Sequence, residues 1–187
     1  MKQLIYTFVL LLFSVPSMME AQNLVLDPSS KLSVSGTSTL HDWECNVEKF
    51  NGKVVCTFEN GEIADISDFK FDFEVTSLDS GKNGMDKKMY EALKESSFPE
   101  ISYEFKSVKI DEKGNATFTG TMFIAGVKKE FTTPVKITCN AGDVRLTGKK
   151  SFNLSDFNIE APTALLGTIK TGEEVTIHYD VKLNKVN

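Results

Sequence analysis

Two histidines and three cysteines are the side chains of this sequence best suited to nucleophilic, redox or metal chemistry. His41 is followed directly by Asp42. Neighbours in sequence do not make a catalytic His–Asp couple, because a base must be oriented across space against a nucleophile. His178 falls on the outward side of a strand-like run. No serine stands in the Gly-x-Ser-x-Gly context of a nucleophile elbow. No Gly-rich phosphate loop is present. Cys45, Cys56 and Cys139 match no zinc spacing, and two histidines do not complete one. The acids are scattered on outward strand positions, where they act as solubilising charges. The expectation is therefore no catalytic residue, no metal, no cofactor, and a protein that is not an enzyme.

The cysteines bear on another chemistry. Lys2 and the apolar run from Leu4 to Phe13 precede small residues at Ser14, Ser17 and Ala21. This pattern predicts a secretory signal peptide over 1–21, with cleavage after Ala21, or alternatively after Ser17. The mature domain is then 22–187, located in the periplasm or secreted, with no later stretch able to span a bilayer as a helix. Export permits disulfides. A hairpin turn at Lys49-Phe50-Asn51-Gly52 would bring Cys45 opposite Cys56, and a cross-strand disulfide is one expectation. The other is two small buried thiols. Cys139 is left over as a buried thiol.

The elements that would position any site are strands. Ile101, Tyr103 and Phe105 alternate with Ser102, Glu104 and Lys106, the pattern of a strand buried on one face. Lys113-Gly114-Asn115 supplies a turn. Phe118, Gly120, Met122 and Ile124 then share one side until Ala125-Gly126 breaks the run. Earlier, Phe69, Phe71, Phe73 and Val75 form a strong alternating strand after a turn at Glu59-Asn60-Gly61. Met85, Met89, Ala92 and Leu93 recur on one face of a single helix, with Asn83 as its predicted N-cap. Pro99 ends that helix, and Pro134 predicts an edge, a bulge or an irregular start in its strand. Val175, Ile177, Tyr179, Val181 and Leu183 make a clean last strand.

About eight mostly consecutive strands with one inserted helix predict an all-β, antiparallel fold. A closed barrel buries the apolar faces without leaving edges. A two-sheet sandwich is the alternative. The net charge of −5 has no basic stripe, which excludes nucleic acid as a partner. The chain has 14 Phe against one Trp and 4 Tyr, so the interior is aromatic. A fully packed core and a lumen for a long apolar ligand both fit that composition.

Several ordered motifs resemble the YceI-like family of exported bacterial proteins. They are Met85 to Leu93 followed by Ser97-Phe98-Pro99-Glu100-Ile101-Ser102-Tyr103-Glu104-Phe105, then Gly120 to Lys128, then Leu154-Ser155-Asp156-Phe157-Asn158-Ile159, then the closing strand Glu173 to Leu183. The resemblance covers nearly all of the chain after the leader. It implies a lipocalin-like barrel of about eight strands that sequesters or carries a polyisoprenoid, quinone-like or other amphiphilic lipid, and it allows a homodimer. The alternative is a ligand-free envelope interaction module with a packed core. Two departures are Leu154, where the family often has Arg, and Thr39-Leu40-His41-Asp42-Trp43 in place of an early His-Ser pair. The ligand-lining positions implied are Phe71, Phe73, Ile101, Tyr103, Phe105, Phe118, Met122, Ile124, Phe131 and Ile177. Leu165 and Leu166, with Ile169, are expected to form a flap at the mouth.

Overall fold

Strands with one apolar and one polar face must bury the apolar one, and here they do so by rolling into a single sheet. The computed structural model describes residues 21–140 and 143–185. The leader expectation therefore falls outside the described residues, apart from Ala21, which opens the first strand. The strands are β1 (Ala21–Leu26), β2 (Lys31–Ser38), β3 (Trp43–Val47), β4 (Asn51–Glu59), β5 (Glu62–Glu74) and β6 (Leu78–Asp79). The helix α1 (Asn83–Ala92) follows, then β7 (Glu100–Ile110), β8 (Asn115–Ile124), β9 (Val127–Asn140), β10 (Asp143–Asn153), β11 (Thr163–Ala164) and β12 (Ile169–Lys185).

Neighbouring strands pair antiparallel along the path β4-β5-β7-β8-β9-β10-β12, and β12 returns to β1 and β2. The result is a closed, eight-stranded, lipocalin-like barrel, as the strand count and the family resemblance predict. Closure depends on β12. One edge of it runs along β10 from Asn153↔Glu174 to Val144↔Leu183. Its other edge is shared, by β2 over Thr171–Asp180 and by β1 over Leu183–Lys185. β1 and β2 are thus two halves of one barrel strand, interrupted at Asp27. The Asp27 carboxylate accepts from the Ser29 hydroxyl, from the Ser29 N–H at 2.8 Å and from Asn184 Nδ2 at 2.7 Å. These bonds, the Ser29 hydroxyl foremost, hold its pKa down at about 2.

β3 and β4 are likewise successive halves of one strand, because β3 pairs with β2 and β4 with β1. This corrects the expected hairpin at Lys49–Gly52. Cys45 lies opposite Val34, Cys56 opposite Gln22, and the two thiols belong to different parts of the core. All three cysteines are free. Lys49–Gly52 only bends the chain, so the two cysteines sit along one direction of travel rather than face to face.

The turn chemistry is otherwise as read. Asn60 and Gly61 both take positive φ, 53° and 87°, in the two-residue turn that joins Glu59 to Glu62. The helix differs in one detail. Its N-cap is Lys82, not Asn83, and no side chain caps it. Asp86 instead accepts from the Ser80 N–H at 2.9 Å and the Ser80 hydroxyl at 2.6 Å. The Tyr90 hydroxyl donates to the Leu78 carbonyl at 2.6 Å and ties the helix to β6.

The β9–β10 ladder covers only Lys136–Asn140 against Asp143–Thr147. Pro134 stands where that ladder has ended, so its strand edge is open there, and an open edge tolerates a missing N–H. The two strands separate toward the helix end of the barrel, and the Leu154–Ile159 segment fills the gap. Phe157 is fully buried and meets Phe152 edge-on at 5.4 Å, and Phe152 meets Phe131 at 5.6 Å. Asp156 pairs with Lys129 of β9 at 2.5 Å and accepts from the Asn153 N–H at 3.1 Å. The Ser-Asp-Phe motif is thus a plug between two diverging strands.

Two predictions follow from this packing. Phe157→Ala should cost about 3–5 kcal/mol of unfolding free energy, read as a lower urea midpoint; an unchanged midpoint would show that the plug carries no load. Alkylation in denaturant without reductant should label all three cysteines. A single label, found on Cys139, would mean that Cys45 and Cys56 are linked. In the folded state burial pushes these thiols up, to about 12 for Cys45 and about 11 for Cys56, so both should resist labelling near neutral pH.

Candidate functional site

The barrel interior has two unlike halves. Toward the β4–β5 and β7–β8 turns it is solid: Leu24, Val54, Cys56, Ile66, Phe118, Val144 and Leu183 are at most 2% exposed and pack together. Toward α1 it holds a cavity of about 440 Å³. That volume lies in the ordinary range for a bound small molecule. The floor is Phe118, Val135, Leu146 and Val181, where the packed half begins. Phe71, Phe73, Met122, Phe131, Val34 and Ile177 form the walls. Met85 and Met89 of α1, Leu93 just after it, the Leu40-His41 loop and Pro162–Ala164 border the mouth. The lining is almost wholly apolar.

The physical basis is the strand period. Side chains on one face of a strand recur every second residue, so Phe69, Phe71 and Phe73 all project inward from β5. These rings brace one another along the wall instead of collapsing across it. Phe71 meets Phe73 at 5.8 Å, and Phe69 meets Phe118 and Tyr103 at 5.8 Å each. Such tilted and edge-to-face contacts are the favoured aromatic arrangements.

Two tyrosines bring polar atoms to this wall. Tyr179 lies across Gly148, where an added Cβ would strike its ring. Its hydroxyl donates to the Pro134 carbonyl and meets the Thr133 hydroxyl at 2.9 Å. It thereby spans β10 to reach the open edge of β9. Tyr103 lies across Gly120 in the same manner, with its Cζ only 2.5 Å from where a Cβ would be. Its hydroxyl is buried without a partner. Burial, with Tyr179 nearby, pushes its pKa up to about 12, so the group is neutral at ordinary pH.

Of the residues read from the sequence as lining, Phe71, Phe73, Ile101, Tyr103, Phe118, Met122, Ile124, Phe131 and Ile177 line the cavity. Phe105 does not. It meets Phe118 edge-on at 6.0 Å and sits just before an irregularity in the β7–β8 ladder, outside the lining. Leu165 and Leu166 also lie outside it. Both take left-handed backbone angles, φ 48° and 56°, which turn their side chains to solvent at 72% and 108% exposure. They neither close over the mouth nor pack down on the barrel, although Ile169 beside them does line it. The sequence-derived set lacked Phe69, Val34, Thr133, Tyr179 and Lys150. Strand parity places Phe69, Tyr179 and Lys150 inward, and that signal was available. His178 stays outside the lumen, where its Nε2 meets the Ser35 hydroxyl at 2.9 Å.

A closed antiparallel barrel, packed at one end and hollow and apolar at the other, defines a lipocalin-like class of protein. The YceI-like domain pattern matches residues 25–183, and the chain belongs to that family. BcnA of Burkholderia cenocepacia is similar in structure, with a TM-score of 0.71 at 18% identity over 84% of this chain and 98% of that one. A polyisoprenoid-binding domain from Saccharophagus degradans, implicated in plant cell wall breakdown, gives 0.66 at 10% identity over 89% and 100%. The YCEI protein of Campylobacter jejuni gives 0.63 at 16% identity over 76% and 84%. No protein with a curated description matches the chain in sequence.

The unpartnered Tyr103 hydroxyl yields a prediction. A buried polar group without a hydrogen bond costs about 1–3 kcal/mol. Tyr103→Phe should therefore leave the lipid-free protein at least as stable, with a thermal midpoint equal to or above that of the parent. A clear drop would mean that the hydroxyl has a partner in solution.

Proposed function

We propose that this protein is an exported carrier that holds a long apolar ligand, a polyisoprenoid or a related lipid, in the barrel lumen. The observation that carries the reading is the half-hollow interior. A barrel evolved only as a packed scaffold would fill both halves, since an empty apolar cavity forfeits contact and transfer energy. An apolar chain in this lumen gains roughly 0.8 kcal/mol for each buried methylene, with no need for a polar motif. The polyisoprenoid-binding domain of Saccharophagus degradans has the same fold, which supports this ligand class. The apolar leader over 1–21 supports export to the periplasm or beyond. Among the described residues no helix is long and apolar enough to cross a membrane. Binding rather than catalysis also suits the lining, which offers no group of acids, cysteines and histidines around one point.

The test uses protein exported by a bacterial host and purified without detergent. Its native mass is recorded, and solvent-extracted lipid is identified by mass spectrometry. A stoichiometric polyprenyl or quinone-like species is the expected result. Met122→Arg should abolish loading by putting a charge in the lumen wall. Val34→Trp should reduce it severalfold by filling the lumen without adding a charge. Circular dichroism checks that each variant is folded. A folded Val34→Trp variant that loads normally, or an empty parent that also refuses added polyprenyl lipid, would overturn the reading and favour a packed interaction module.

A further inference from the structure

The charged side chains that reach the lumen are all lysines. Lys82, Lys88 and Lys150 line it, and no Asp or Glu does, although the chain has 26 acids against 21 lysines and arginines. Lys150 is the unusual member. It follows Leu146 and Gly148 on the inward side of β10, and it lies opposite Ile177, another lining residue. Its ammonium stands over the inner ring of Phe131, 5.8 Å from the centroid. Among the described residues no hydrogen bond or ion pair engages that ammonium. Asp156, the carboxylate whose pKa it helps to lower, is already held by Lys129 at 2.5 Å and by the Asn153 N–H. The Thr133 and Tyr179 hydroxyls, also in the lining, are committed to each other and to the Pro134 carbonyl. Lys88 is paired with Glu91 at 2.9 Å. Lys150 therefore presents three donors to the lumen with no protein acceptor. A ring face compensates an ammonium only weakly, by roughly 0.5–2 kcal/mol.

We propose that the lumen takes an amphiphile with an anionic head, a carboxylate or a phosphate, that seats on Lys150 while its apolar tail fills the cavity toward Phe118. This inference rests on the carrier reading and names the head chemistry of its ligand. An oxyanion supplies the acceptor that the ammonium lacks, in a charge-assisted hydrogen bond. A neutral head leaves the ammonium unpaired and adds little beyond the burial of its tail.

The fluorescence of Trp43, the sole tryptophan and itself a lining residue, reports binding directly. The purified, delipidated protein is titrated with geranylgeranyl phosphate, geranylgeraniol, oleate and oleyl alcohol. Each anionic probe should bind about ten-fold or more tightly than its own alcohol, the ratio expected of a hydrogen bond to a charged group. A preference confined to the phosphate or to the carboxylate identifies which head is the natural one. Lys150→Met and Lys150→Gln should erase the preference while changing alcohol binding by less than about three-fold, and Lys150→Arg should keep it. Because alcohol binding is required to persist within that range, loss of folding cannot imitate the loss of preference. Alcohols that bind as tightly as the anions, or a preference that survives both substitutions, would overturn this inference alone. Failure of all four probes to bind would overturn the carrier reading with it.

Discussion

The structure depends on one long strand having two different neighbours along the same edge. β12 meets β2 over its first part and β1 over its last, with β10 along the opposite side from Glu174 to Leu183. That arrangement lets a chain of consecutive hairpins close on itself without a free edge. It also divides the barrel into two levels. β1 and β4 belong to the lower level, and β2 and β3 to the upper. The breaks at Asp27 and at Glu48–Phe50 are where one level passes into the other. At the lower level the interior is a solid core, although β5 and β7 pair only at the upper end, over Lys70–Glu74 and Glu100–Glu104.

At the upper level the wall is incomplete, because β9 and β10 part beyond Lys136 and Thr147. A gap in a sheet exposes backbone polar groups and apolar side chains together, so something must cover it. The Leu154–Ile159 segment does this from outside with Phe157, and Tyr179 does it from inside through its hydroxyl. The lumen lies on the same level as the separation that the Ser-Asp-Phe motif repairs.

The interior is also electrostatically uneven. Phe rings supply most of the wall, yet Tyr103, Tyr179, Thr133 and Lys150 bring polar atoms to it. Polar groups in an apolar enclosure are costly unless paired. Tyr179 and Thr133 pair with each other, whereas the buried Tyr103 hydroxyl has no partner and the half-buried Lys150 ammonium rests only on the Phe131 ring. The costs retained here, together with the unfilled volume, distinguish this barrel from one selected only for stability.

Much of this was readable before any coordinates. The alternation in β5, β7, β8 and β12 set which residues face inward, and Asn60-Gly61 and Ala125-Gly126 set the turns, because both are local properties of a few residues. The same locality explains the failures. Whether β3 and β4 fold back on each other or run on as one strand depends on β1 and β2, whose own closing partner, β12, lies at the far end of the chain. The cysteines therefore looked opposed when they were not. Phe105 has the inward parity of its neighbours, yet it lies outside the lining, beside an irregularity in the ladder that alternation does not announce. Leu165 and Leu166 are apolar residues whose direction is set by backbone angles rather than by hydropathy. Above all, a period-two pattern is the same for a packed barrel and a hollow one. The sequence by itself determined most of the strands and which of their residues face inward. Only the tertiary structure decided that one end is solid and the other hollow, because that depends on how inward side chains from every strand meet in space.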